Sequence, residues 1–166
     1  LALPERLKLR WTYQAEDAIE SSAAIVDGTV YVGSLSGDLI ALDLESGREK
    51  WRYQADDGIG ESSPAVEGEI VYVGDLSGVL HAVNTLTGKM HWTFKTEAEI
   101  RSSPVIANNI VLIGSYDGYL YGLSKHDGTL VWKTRFEGYV HATPAVLDGI
   151  AYIGGCDETF RGIKID

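Results

Sequence analysis

Four ionisable side chains, Glu20, Glu61, Arg101 and His141, follow one another 40 or 41 residues apart. Each stands directly before a run of small residues: Ser21-Ser-Ala-Ala24, Ser62-Ser-Pro-Ala65, Ser102-Ser-Pro-Val105 and Ala142-Thr-Pro-Ala145. If that spacing marks a repeated unit, the four groups converge on one place. Two carboxylates, a guanidinium and an imidazole can bind a polar ligand, an ion or the side chains of a partner. Acid–base chemistry is a further option, because carboxylates brought together split their pKa values. The plainer alternative is a hydrated opening whose charges compensate one another.

Other reactive residues point to less. Cys156 is the single cysteine, so no intramolecular disulfide and no multi-cysteine metal site can form. It lies in Gly154-Gly-Cys-Asp-Glu158, where the other units read Gly33-Ser-Leu-Ser-Gly37, Gly74-Asp-Leu-Ser-Gly78 and Gly114-Ser-Tyr-Asp-Gly118. Glu158 replaces a glycine there, which predicts a turn of changed geometry. No base flanks Cys156 to activate it. His81, His91 and His126 share no ligand spacing, and no metal site is read from them. Motifs for a serine nucleophile, a phosphate-binding loop or a zinc protease are absent.

Composition narrows the classes further. The formal charge of −10 argues against a nucleic-acid partner, whose phosphates require clustered Lys and Arg. No stretch approaches the roughly 20 apolar residues of a membrane-spanning helix. The sequence opens at Leu1 without a basic-then-apolar signal segment, as a mature form or an excised fragment would.

The elements that must position the four groups are strands. Around the second unit, Ile70-Val-Tyr-Val73, Leu80-His-Ala-Val83 and Met90-His-Trp-Thr-Phe94 are strand-length, rich in β-formers and separated by glycine turns. Asp27-Gly28 and Asp148-Gly149 suit two-residue hairpin turns, with Asn108-Asn109 a tolerable substitute. Tryptophans at 11, 51, 92 and 132 keep the 40- or 41-residue period. Four antiparallel strands per unit at that period describe an all-β fold, a β-propeller with four blades in this chain. The repeats run approximately over 11–50, 51–91, 92–131 and 132–166 of one domain. Pro64, Pro104 and Pro144, in a column of small residues, mark the innermost strand, whose edge or start tolerates a missing N–H.

The run Ala41-Leu-Asp43-Leu-Glu-Ser-Gly47-Arg-Glu-Lys-Trp51 recurs as Ala82-Val-Asn84-Thr-Leu-Thr87-Gly88-Lys-Met-His-Trp92. It returns more loosely from Gly122 through Ser124 and Gly128 to Trp132. It resembles the tryptophan-docking motif of the PQQ-like β-propeller repeat, over essentially residues 7–166. That resemblance implies that Trp11, Trp51, Trp92 and Trp132, with Gly47, Gly88 and Gly128, dock neighbouring blades. It implies an extracytoplasmic, periplasmic setting. The family includes quinoprotein dehydrogenases and a lipoprotein scaffold of outer-membrane β-barrel assembly. Its enzymes hold the quinone PQQ between a tryptophan and a disulfide of adjacent cysteines, with calcium nearby. One cysteine cannot supply that clamp, so no cofactor is expected and the scaffold members are the better match. A protein- or ligand-binding scaffold is the leading expectation. A PQQ-dependent dehydrogenase (or a fragment of one) and the sensor domain of a membrane kinase are the alternatives.

Strand counting adds an expectation about assembly. Leu7–Tyr13 reads as an outer strand without its blade, and Thr143–Leu147, Ile150–Ile153 and Arg161–Ile165 as a blade without its outer strand. The N-terminal strand can complete the last blade within one chain, between two copies in an eight-bladed homodimer, or within a longer propeller of which this is half. A head-to-tail homodimer is favoured, because family rings usually have seven or eight blades.

Overall fold

Apolar runs of five or six residues, closed by Asp-Gly and Gly-containing turns, fold back on themselves as meanders. The computed structural model describes residues 8–165. The first sheet takes β1 (Ala24–Val26), β2 (Thr29–Gly33), β3 (Asp38–Asp43) and β4 (Glu49–Gln54) in that order. The second takes β5 (Ala65–Glu67), β6 (Ile70–Gly74), β7 (Val79–Asn84) and β8 (Met90–Lys95). The third takes β9 (Val105–Ala107), β10 (Ile110–Gly114), β11 (Tyr119–Ser124) and β12 (Leu130–Arg135). The last holds three strands, β13 (Ala145–Leu147), β14 (Ile150–Gly154) and β15 (Phe160–Lys164). All pairings are antiparallel and no helix occurs among the described residues.

Local chemistry explains the shared geometry. Asp27, Gly28, Asp148 and Gly149 all have positive φ, as the tightest hairpin turns demand at both central positions. Pro64, Pro104 and Pro144 directly precede the three-residue strands β5, β9 and β13, where no ladder donor is lost. Those short strands neighbour one another from sheet to sheet, which makes them the inner edge of the array. Each complete sheet shifts register between its third and fourth strands, at Ala41/Leu42, Ala82/Val83 and Gly122/Leu123. Asp43 and Asn84 stabilise the turns beyond these bulges by accepting from Ser46 N and Thr87 N. In the third sheet Ser124 replaces that residue, and Asp127 accepts from Thr129 instead.

The core lies between sheets stacked face to face. Tyr31, Leu39 and Ala41 of the first blade meet Val71, Val73 and Val83 of the second. Tyr72, Leu80 and Ala82 repeat the arrangement against Val111, Ile113 and Leu123 of the third. Burial on both faces explains why the second and third strands are nearly continuous apolar runs.

Two expectations change. Leu7 lies outside the described residues, and residues 8–15 enter no sheet. They pack on the first blade instead, with Trp11, Tyr13 and Ala15 against Val30, Val32, Ile40 and Leu42. The last blade therefore keeps three strands, and this chain does not close a four-bladed ring on itself. The turn at Glu158 also keeps its shape. Glu158 takes φ 63°, near the 86°, 93° and 85° of Gly37, Gly78 and Gly118. The sheet imposes the turn, and the side chain accepts a left-handed backbone.

Candidate functional site

The linkers that carry the chain from each outer strand to the next inner strand put Glu61, Arg101 and His141 side by side. Arg101 Nη1 donates to Glu61 Oε2 at 3.2 Å, and Arg101 Nε donates to Glu99 Oε2 at 2.7 Å. His141 Nε2 lies 3.8 Å from the same Glu61 oxygen. Its Nδ1 is 2.7 Å from the Tyr116 hydroxyl. A Tyr116 O–H given to Nδ1 leaves Nε2–H directed at Glu61, so three blades share one polar chain. Glu20 does not join it; it is exposed and has no hydrogen bond or ion pair with these groups.

Two aromatic residues extend this cluster. Tyr116, in the turn between β10 and β11, stacks on Tyr139 with ring centroids 4.8 Å apart and planes 9° from parallel. The Arg101 guanidinium lies 5.4 Å above the Tyr116 ring, within cation–π range. Tyr139 is exposed. Beside the pair opens a cavity of about 450 Å³, lined by Tyr116, Tyr139, Phe136, Arg135, Glu137 and Cys156 among others. Burial, with Glu61 and Glu99 assisting, raises the Tyr116 hydroxyl above its ordinary pKa against the pull of Arg101. Glu99 first, and then Glu61, raise the pKa of Arg101, so its charge is permanent. The only strong cation of the cluster is thus paired with two carboxylates.

Sequence reading did not single out Tyr116 and Tyr139. Their columns vary from blade to blade, as Leu35, Leu76, Tyr116, Cys156 and as Ala18, Gly58, Glu99, Tyr139. Variation of that kind was the available signal. His81, from which the sequence reads no site, is buried against Asp75 with Nε2 and Oδ2 3.0 Å apart.

The tryptophan column is structural in its contacts. Trp11, Trp51 and Trp92 donate Nε1–H to the carbonyls of Leu44, Thr85 and Lys125 of the following blade, at 3.0, 2.7 and 3.1 Å. Their rings cover Gly47, Gly88 and Gly128 so closely that a Cβ at any of them would collide. Trp132 departs from its column. Its ring lies over Gly122 of its own blade, and its buried Nε1–H has no acceptor among the described residues. By the spacing of the other three, the turn glycine that Trp132 would cover falls after residue 165.

A clamp for a quinone does not fit these residues. The single cysteine is exposed at the turn, and three of the four indoles are wedged between blades. Among the described residues no group of three His, Cys, Asp or Glu side chains could hold a metal ion.

Three four-stranded sheets and one of three, stacked around a common inner edge, define a β-propeller array. The chain belongs to the PQQ-like propeller family described as outer membrane protein assembly factor BamB, matched over residues 6–107 and 78–166. The crystal structure of BamB from Moraxella catarrhalis is 27% identical, with a TM-score of 0.81 over 94% of this chain and 49% of that one. The chain thus spans about half the length of that BamB. The computationally designed Ika4 protein is 20% identical, with a TM-score of 0.83 over 92% of this chain and 94% of its own. A quinohemoprotein alcohol dehydrogenase from Pseudomonas putida is 22% identical, with a TM-score of 0.76 over 86% of this chain and 29% of that one. The last two likenesses are of fold alone. No curated protein matches the chain.

Proposed function

We propose that this chain is half of a non-catalytic, extracytoplasmic propeller scaffold that binds a partner protein at the mouth built from Glu61, Arg101, His141, Tyr116 and Tyr139. The carrying observation is the parallel Tyr116–Tyr139 stack beside an ion-paired arginine. Aromatic and arginine side chains are the residues that dominate protein interfaces, and here they sit where the repeat does not need them. The family match supports a role in protein–protein contact and a periplasmic or outer-membrane-associated setting. The missing half of the ring comes from a second copy, giving a homodimer, or from further blades of a longer polypeptide.

A photo-crosslinking side chain at Tyr139, compared with one at Leu86, tests the mouth. Leu86 lies in the turn between β7 and β8, at the opposite end of the strands. Adducts in the producing cell are expected from Tyr139 and not from Leu86; equal yields would refute a binding mouth. Adding the quinone with calcium should give neither tight binding nor dye-linked alcohol oxidation. Turnover in that assay would favour the dehydrogenase reading.

A further inference from the structure

The two ends of the array carry matching halves of one blade interface. After each outer strand, an aliphatic residue plugs a glycine of the same blade: Ile59 covers Gly33, Ile100 covers Gly74 and Val140 covers Gly114. All three plugs are 0% exposed. Ile19 occupies the same place after the N-terminal segment and is 46% exposed. Gly154 occupies the place of the covered glycines, and nothing approaches a Cβ there closer than the Phe160 ring at 4.0 Å. The chain therefore shows a plug without a socket at one end and a socket without a plug at the other.

Three further columns repeat the mismatch. Leu39, Leu80 and Leu120 are 0% exposed opposite Tyr53, Phe94 and Thr134 of their outer strands, while the equivalent Phe160 is 74% exposed. Around the inner edge, Ser22 N donates to Ser63 Oγ, Ser63 N to Ser103 Oγ and Ser103 N to Thr143 Oγ1, at 2.9, 2.9 and 3.0 Å. The next donor would be Thr143 N and the next acceptor Ser22 Oγ. Ala55 N, Thr96 N and Phe136 N donate to Gly37 O, Gly78 O and Gly118 O. By the same offset the next donor would be Ala15 N and the next acceptor Glu158 O.

The N-terminal segment of the same chain does not reach β15. Residues 8–15 are already docked on the first blade as an outer strand docks on its successor, through Trp11 to Leu44 O. They cannot leave that blade for β15 without giving up the contact. The chain superposes over 94% of its length on 49% of the Moraxella BamB, so its blades follow the curvature of a ring twice as long.

Resting on the half-ring reading above, we propose that residues 11–14 of one copy form the fourth strand of the last blade of a second copy. They pair with β15 in a fixed register: Trp11 opposite the partner's Gly162 and Tyr13 opposite the partner's Phe160. Ile19 fills the space at the partner's Gly154. The register follows from the pairs Ala41–Trp51, Ala82–Trp92 and Gly122–Trp132. Two such seams, related by symmetry, close an eight-bladed ring and leave no strand edge free.

The seam is tested in the chain with Cys156→Ser, so that no native thiol competes. Tyr13→Cys with Phe160→Cys should link two copies into a covalent dimer under mild oxidation. Tyr13→Cys with Arg161→Cys, one residue out of register, should not. A link within single chains would overturn the second copy as the occupant. A dimer by native mass spectrometry without the in-register link would overturn the seam while leaving the half-ring reading intact. A monomer without any link would overturn the seam and the homodimer, and would leave the half-ring reading only with further blades of a longer polypeptide. Ile19→Lys, at a side chain its own chain leaves half exposed, should weaken dimerisation more than tenfold with an unchanged circular dichroism spectrum. Undiminished dimerisation in that variant would also overturn the seam.

Discussion

His81 Nε2 and Asp75 Oδ2 sit 3.0 Å apart with exposures of 1% and 0%, the most deeply buried histidine–carboxylate contact among the described residues. Tyr53 of the preceding blade reaches His81 Nδ1 at 3.0 Å, so the pair also ties two blades together. The second Asp75 oxygen accepts from Val79 N and Ser77 Oγ, both at 2.8 Å. With Nε2–H given to the carboxylate, Nδ1 is the acceptor and the Tyr53 hydroxyl donates. Burial raises the Tyr53 pKa, with Asp56 and Asp75 adding to it, which keeps that donor protonated.

Asp75 makes the fold sensitive to acid. Burial pushes its carboxyl upward, but hydrogen bonds from His81, Val79 and Ser77 outweigh it and hold the pKa below the ordinary value. The unfolded chain, ionising near 3.9, then takes up the proton first. The stabilisation is full above that pH and is lost as pH falls through the folded value. Urea midpoints should drop below about pH 4, and Asp75→Asn should flatten that drop. At pH 7, Asp75→Ala should cost about 3 kcal/mol, since it leaves a buried partner unpaired.

The tryptophans differ in what they hold. Trp92→Ala should cost about 3–5 kcal/mol, from the lost ring volume and the cavity it leaves. Trp92→Phe removes the hydrogen bond to Lys125 O, a carbonyl that the Tyr72 hydroxyl still reaches at 3.3 Å, at about 0.5–1.5 kcal/mol. Trp132→Phe removes an N–H that already lacks a partner, so the same substitution should be neutral or stabilising. Chemical denaturation of the two phenylalanine variants side by side checks the contrast; equal losses would contradict it.

Much of this architecture was legible in the repeat. Tryptophan, proline and hairpin columns each state a constraint that every blade must satisfy, so repetition alone gives the strands and their order. Variable columns pointed to Glu61, Arg101 and His141, because charge at the same place in successive blades must converge. Tyr116 and Tyr139 escaped because their stacking joins two different columns from a turn and a linker. His81 and Asp75 escaped for a related reason: six residues apart, they meet only when β7 folds back along the turn after β6. Glu20 stays outside the mouth: its neighbour in the next unit is Glu61, a like charge already paired with Arg101.

Glu158 holds a backbone conformation that its three counterparts assign to glycine, at φ 63°. A non-glycine residue there carries strain of about 1 kcal/mol or more, offset in part by the smaller entropy of its unfolded state. Glu158→Gly should therefore raise the unfolding midpoint, by up to about 1 kcal/mol. The measurement is thermal denaturation of the single variant, and a lower Tm would show that the glutamate side chain contributes more than its backbone costs.

Arg101 separates binding from stability. Its pairs with Glu61 and Glu99 join side chains that are 30% exposed on the arginine and 40% and 41% on the carboxylates. Pairs this open to solvent contribute about 1 kcal/mol or less, so Arg101→Ala should barely move the unfolding curve. The same substitution leaves Glu61 and Glu99 facing each other without their shared cation and strips the charge from above Tyr116. Crosslinking from Tyr139 should then fall sharply while stability holds. Arg101→Lys should restore it only in part, because a lysine presents one point charge and cannot donate to both carboxylates in a fixed fork. Full crosslinking in Arg101→Ala would show that the guanidinium only balances the charge of the opening, and that recognition lies in the aromatic pair alone.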